Sequence, residues 1–223
     1  MKLKGKIIDF LGDSITEGAC VADMSKRYDN RLKEMLDLKA VYNYGIGGSR
    51  LAHQRTPSNN PRFDLCFCGR AYDLNKDADV IVVFGGVNDY LHGDAPFGAY
   101  TDTTPATFCG AVHFLMNFLK NTYTEKKIVF MTPAHVCHDG ISDKQVFERE
   151  VKNEDARPLK EYVDMIEKAG REHGIPVLNL FNKLGIDANI DEQRLRYTAD
   201  GLHLNDEGHG VLAQTLAEFL KAL

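Results

Sequence analysis

The stretch KIIDFLGDSITEG, residues 6–18, decides how the chain is read. Its first half is a short apolar run with no helical stripe, and its second half is a polar turn bounded by Gly12 and Gly18, so a buried strand leads into a loop. Runs of the same kind recur at AVYNYG (40–45), DVIVVFGG (79–86), KIVFMT (127–132) and PVLNL (176–180). Near-continuous Val, Ile, Leu and Phe is what a parallel strand covered on both faces requires. Between these runs lie helical patterns at 26–37, 64–74, 105–122, 157–173 and 206–222. In the last, Val211, Leu212, Thr215, Leu216, Phe219 and Leu220 recur at helical spacing and form a buried stripe. This alternation, with right-handed crossovers, predicts an α/β fold: a five-stranded parallel sheet inside a three-layer αβα sandwich. At 223 residues the expectation is one domain spanning 1–223.

A formal charge of −5 is mild, so neither nucleic acid nor an anionic membrane is expected as a partner. Lys2, Lys4 and Lys6 precede an apolar run too short for a signal-peptide core, and no apolar stretch is long enough to span a bilayer. The five cysteines are an odd set without a secreted spacing, and the chain reads as cytoplasmic.

Three readings of Ser14 compete. A phosphate loop needs GxxxxGK[ST], but Ala19 and Cys20 stand where the lysine and hydroxyl belong, so the cation is missing. A dinucleotide loop at GIGGSR (45–50) fails because Arg50 replaces the third glycine. The bland alternative makes Ser14 a helix N-cap with Glu17 completing a capping box. What favours chemistry is its company: NYGIGGS with Gly48 after the second strand, GVND with Asn88 after the third, and DGLH with Asp200 and His203 before the last helix. The topology delivers each of these loops to the carboxyl edge of the sheet, where open α/β proteins place their sites.

These four blocks, in this order, resemble the SGNH hydrolases, or GDSL-type esterases, with Ile15 where many members carry leucine. The resemblance runs from the first strand to the last helix. It implies a flavodoxin-like sheet of order 2-1-3-4-5, an esterase activity without cofactor or metal, and an oxyanion hole made by the Ser14 amide, the Gly48 amide and the Asn88 side chain.

The residue chemistry agrees. Serine attacks an ester only when a base removes its proton, and the base needs a carboxylate to hold its tautomer, roles that suit Ser14, His203 and Asp200. A second DxxH, Asp206 to His209, has the same spacing; its bland reading has Asn205 or Asp206 capping the last helix, with His209 inside it. The cluster AHVCHD, His135 to Asp139, invites a zinc reading but has no second ligand cluster, and Cys66 and Cys68 read as packing residues. A short helical turn is expected around Gln145 to Val151. Arg50, His53, Tyr90, His135 and the loops 91–104 and 135–140 are candidate pocket walls, a polar set. Neither of the two long connections, 87–104 and 133–156, offers an apolar lid, so small acyl esters such as acetylated carbohydrates are expected as substrates, ahead of long-chain lipids. Lysophospholipids and thioesters suit the same machinery, and a catalytically silent binding domain is the alternative of another class.

Overall fold

The computed structural model describes residues 1–137 and 157–223. Strands β1 (Ile7–Gly12), β2 (Ala40–Gly45), β3 (Val80–Phe84), β4 (Lys127–Met131) and β5 (Val177–Leu178) form one parallel sheet of order 2-1-3-4-5. Helices α1 (Ser14–Glu17), α2 (Tyr28–Leu36), α3 (Phe67–Arg70), α4 (Val87–Leu91), α5 (Phe108–Thr122), α6 (Leu159–His173), α7 (Leu180–Lys183), α8 (Asp191–Tyr197) and α9 (Asp206–Ala222) surround it.

Side chains alternate across a strand, so each strand feeds two cores. Val80, Val82 and Phe84 of β3 join Leu32 of α2 and Leu212 and Leu216 of α9 on one face. Ile81 and Val83 join Leu115 of α5 and Ile166 of α6 on the other. The register then sets the site: Gly12 pairs with Gly45 on one side and Phe84 on the other, and Phe84 pairs with Met131. Four strands therefore end level, and their following loops start from one edge.

Two elements differ from expectation. The pattern at 64–74 is not one helix: Cys66 has extended backbone and its Sγ accepts from the Gly69 amide, so α3 starts afresh between two 3-10 turns, Pro61–Asp64 and Ala71–Asp73. β5 is only two residues long where a run over 176–180 was expected, while β2 takes the edge that the order 2-1-3-4-5 implies, with Tyr42 exposed. The expected helical turn at Gln145 to Val151 lies outside the described residues. No helix among the described residues is long and apolar enough to cross a membrane.

Candidate active site

The first loop starts at Asp13, which caps α1 by accepting from the Ile15 amide at 3.0 Å. Ser14 is thus the first helical residue and not the cap, so its hydroxyl is released for another partner. Ser14 Oγ lies 3.0 Å from His203 Nε2, and His203 Nδ1 lies 2.7 Å from Asp200 Oδ2. A carboxylate only accepts, so Nδ1 carries the ring proton and Nε2 accepts from the serine hydroxyl. The capping-box role of Glu17 is also replaced: its Oε2 accepts from the Gly47 amide at 2.7 Å, and its other oxygen pairs with Arg62.

Asp200 and His203 arrive on a tight loop closed by the Thr198–Leu204 bridge, with Gly201 in the left-handed region at φ 84°. Asp200 Oδ1 accepts from the amides of Leu202 (3.0 Å) and His203 (2.8 Å), which leaves Oδ2 for the ring. Partial burial pushes the Asp200 carboxyl up, but the hydrogen bonds from the His203 ring and from the loop amides outweigh it and hold it at about 2. The acid therefore stays ionised beside the imidazole throughout the neutral range.

Gly48 sits at φ 73°, and a Cβ there would lie 2.3 Å from the Phe63 ring, so both backbone and space demand glycine. Among the described residues neither the Ser14 amide nor the Gly48 amide donates to a protein acceptor. Asn88, at the start of α4, is buried; its Nδ2 donates to the Ser49 carbonyl at 3.1 Å and its Oδ1 lies 3.0 Å from His92 Nε2. Its neighbour Asp89 turns away and accepts from the Leu51 and Ala52 amides at 2.9 and 3.0 Å, tying the Gly48 loop to α4.

Two buried arginines brace these loops, and the four motifs alone do not announce them. Arg70 donates to the Gly12 carbonyl (3.0 Å), the Ser49 hydroxyl (2.8 Å) and the Tyr44 carbonyl, linking the first two blocks. Burial lowers its pKa to about 10, which still leaves it charged at neutral pH. Arg50 is 2% exposed and is held by Asp64 at 2.8 Å, so it lies beneath the site instead of facing a ligand. Tyr90 is likewise buried, edge-on to Tyr162 at 5.9 Å between ring centroids. His53 is exposed, with its amide bonded to the Pro105 carbonyl. Of the four side chains expected as pocket walls, His135 lines a small cavity, together with Asp13, Ile15, Val87, Pro133 and Leu202. Asp13 Oδ2 has no partner among the described residues, and burial raises this carboxyl to about 6.

His209 lies within α9, fully buried, with Nδ1 accepting from the Tyr28 amide at 3.2 Å and its ring stacked on Tyr28. Asn205 caps that helix, accepting from the Glu207 and Gly208 amides. Among the described residues Cys20, Asp200 and His203 bring ligand atoms within 4.8 Å of one another, but Asp200 and His203 are already bonded to each other. His138 and Asp139 of the suspected zinc cluster lie outside the described residues.

The sheet gathers these four blocks at its carboxyl edge. The chain belongs to the GDSL-like lipase/acylhydrolase family, whose sequence pattern matches residues 10–211. It is similar over 99% of its length to 98% of a solved protein from Lactobacillus plantarum, with 30% identity and a TM-score of 0.82. An acetyl xylan esterase shares the fold at 21% identity and a TM-score of 0.62, covering 96% of this chain and 99% of that one. A two-domain esterase active on acetylated mannans matches at 20% identity and a TM-score of 0.61, covering 97% of this chain and 49% of that one. A search of curated proteins gives no match.

Proposed function

We propose that this protein is a serine esterase that cleaves small acyl esters, with acetylated carbohydrates as the leading substrate class. The observation that carries the reading is the unbroken Ser14–His203–Asp200 hydrogen-bond chain, 3.0 and 2.7 Å. In this reading Ser14 Oγ attacks the ester carbonyl while His203 Nε2 takes its proton, and Asp200 steadies the imidazolium that forms. The carbonyl oxygen becomes an oxyanion held by the Ser14 amide, the Gly48 amide and Asn88 Nδ2, and losing one such donor costs about 2.7–4 kcal/mol of transition-state stabilisation. His203 then returns the proton to the leaving alcohol, and water repeats the sequence on the acyl-serine.

The Phe63 ring packs directly on Gly48, so it forms one wall beside that amide. The ester neighbours of the same fold act on acetylated xylan and acetylated mannan, which supports acetate as the acyl group. All five thiols are free, which fits a reducing compartment such as the cytoplasm. The test is a series of p-nitrophenyl esters from acetate upward, run beside acetylated xylo- and manno-oligosaccharides, with a fluorophosphonate label. Acetate should lead the series, and the label should land on Ser14. Activity rising with chain length would favour a lysophospholipase, and thioester preference a thioesterase. No turnover and no labelling would leave a binding domain.

A further inference from the structure

A primary amide is a two-faced group: rotated by half a turn, Asn88 would aim oxygen instead of NH₂ at developing negative charge. Its orientation must therefore be set by neighbours. Arg50 Nη1 lies 3.0 Å from His92 Nδ1, and His92 Nε2 lies 3.0 Å from Asn88 Oδ1. A guanidinium has no acceptor, so His92 Nδ1 accepts from it and the single proton of the neutral ring sits on Nε2. That Nε2–H matches only the oxygen end of the amide. The nitrogen end is matched at the same time by the Ser49 carbonyl at 3.1 Å, which uses one of the two amide protons. A flipped Asn88 would set donor against donor at His92 and acceptor against acceptor at Ser49.

Arg50 is in turn tied down: its Nη2, with two protons to share, lies within hydrogen-bond distance of Asp64 Oδ1 (2.8 Å), the Phe63 carbonyl (2.9 Å) and the Ser58 hydroxyl (3.1 Å). Asp64 is held by the Ser58 amide at 2.9 Å. We infer that His92 is a positioning residue, and that the Arg50–His92 relay fixes the polarity of Asn88 and so keeps an N–H available to the reacting oxygen. This rests on the esterase reading of Asn88 given above. The competing explanation is plain packing, since the His92 ring also lies against Phe63 with centroids 5.7 Å apart.

Two substitutions separate the explanations. His92→Phe keeps a ring against Phe63 but removes the donor, whereas His92→Gln keeps an acceptor for Arg50 and a donor for Asn88. With p-nitrophenyl acetate, His92→Phe should lower kcat roughly 10- to 100-fold with KM changed less than about 2-fold, and His92→Gln should recover most of the loss. In an Asn88→Ala background, His92→Phe should cost nothing more, because its effect acts through the amide. Wild-type kcat in His92→Phe, a Gln variant as poor as Phe, or fully additive losses would overturn the relay. If Asn88→Ala itself leaves kcat unchanged, the oxyanion reading fails instead. Nitrogen-15 NMR of the unmodified protein supplies a readout independent of folding in the variants: the Nε2–H tautomer of His92 is expected, and Nδ1–H would refute the assignment.

Discussion

Replacing His209 with glutamine should flatten the acid limb of the stability profile while leaving turnover at neutral pH unchanged. Burial lowers His209 from 6.5 to about 4, because its ring is packed on Tyr28 between α9 and α2 with one nitrogen already accepting from the Tyr28 amide. Above pH 6.5 the imidazole is neutral in both folded and unfolded chains and contributes no pH dependence. Below it the unfolded chain binds a proton that the folded chain refuses until about 4, so stability falls as pH falls through that window. At about 1.4 kcal/mol per pKa unit, the shift corresponds to a loss of about 2–3 kcal/mol between pH 7 and pH 4. Glutamine does not titrate and can still accept from the Tyr28 amide. The chain has no tryptophan, so urea unfolding is best followed by far-ultraviolet circular dichroism, for parent and variant at pH 7, 5.5 and 4. Other titrating groups are common to both proteins, and the difference between their pH slopes reports His209 alone. Equal slopes would refute the burial argument, and a tenfold or greater loss of kcat at pH 7 would refute the assignment of the base to His203.

The remaining predictions concern the site and one strand carboxylate. His203→Ala should lower kcat by several orders of magnitude, and adding Ser14→Ala should lower it hardly further, because the pair acts as one unit; additive losses in steady-state kinetics would contradict this. Asn88→Ala should lower kcat roughly 10²- to 10³-fold with little change in KM. Asn88→Asp should be worse than alanine, because it sets a carboxylate beside the developing oxyanion, and an aspartate variant more active than the alanine variant would argue against the hole. Burial raises Asp9 of β1 to about 6, only partly offset by the Asn75 amide, so the folded chain binds the extra proton between 3.8 and about 6 and stability falls as pH rises through that range. Asp9→Asn should therefore stabilise by about 1–2 kcal/mol at pH 8 and by almost nothing at pH 4, as read by thermal melting.

The fold was legible because strand runs such as VIVVF and the stripe of α9 carry periods that tertiary context does not override. The broken helix at 64–74 was not, since the interruption depends on a sulfur accepting a backbone bond at Cys66, a local contact that periodicity cannot register. The Ser14, Asp200 and His203 juxtaposition was expected from the four blocks in order, with DGLH before the last helix, and from the family they resemble. The roles of Arg50 and Tyr90 were not legible, because a charged or phenolic side chain in a loop reads as surface unless its partners are known. Asp64 makes Arg50 a buried residue, and Tyr162 does the same for Tyr90. His209 shows the converse: its DxxH spacing matches that of His203, and only the burial of α9 against α2 separates them.

The positions outside the four blocks explain how glycine-rich loops can hold a site to hydrogen-bond tolerance. Gly12, Gly45 and Gly48 let the chain turn and approach closely, but glycine also widens the range of conformations a loop visits. Each guanidinium closes that range with several donors fixed in one plane. Arg70 spans Gly12, Tyr44 and Ser49, and Arg50 spans Phe63, Asp64, Ser58 and His92. Lysine offers one mobile ammonium and cannot span such sets. Both forks act on Ser49: Arg70 through its hydroxyl, and Arg50 by way of His92 and Asn88, which donates to the Ser49 carbonyl. Ser49 follows Gly48 directly, so the residue next to the Gly48 loop is held through both its hydroxyl and its carbonyl.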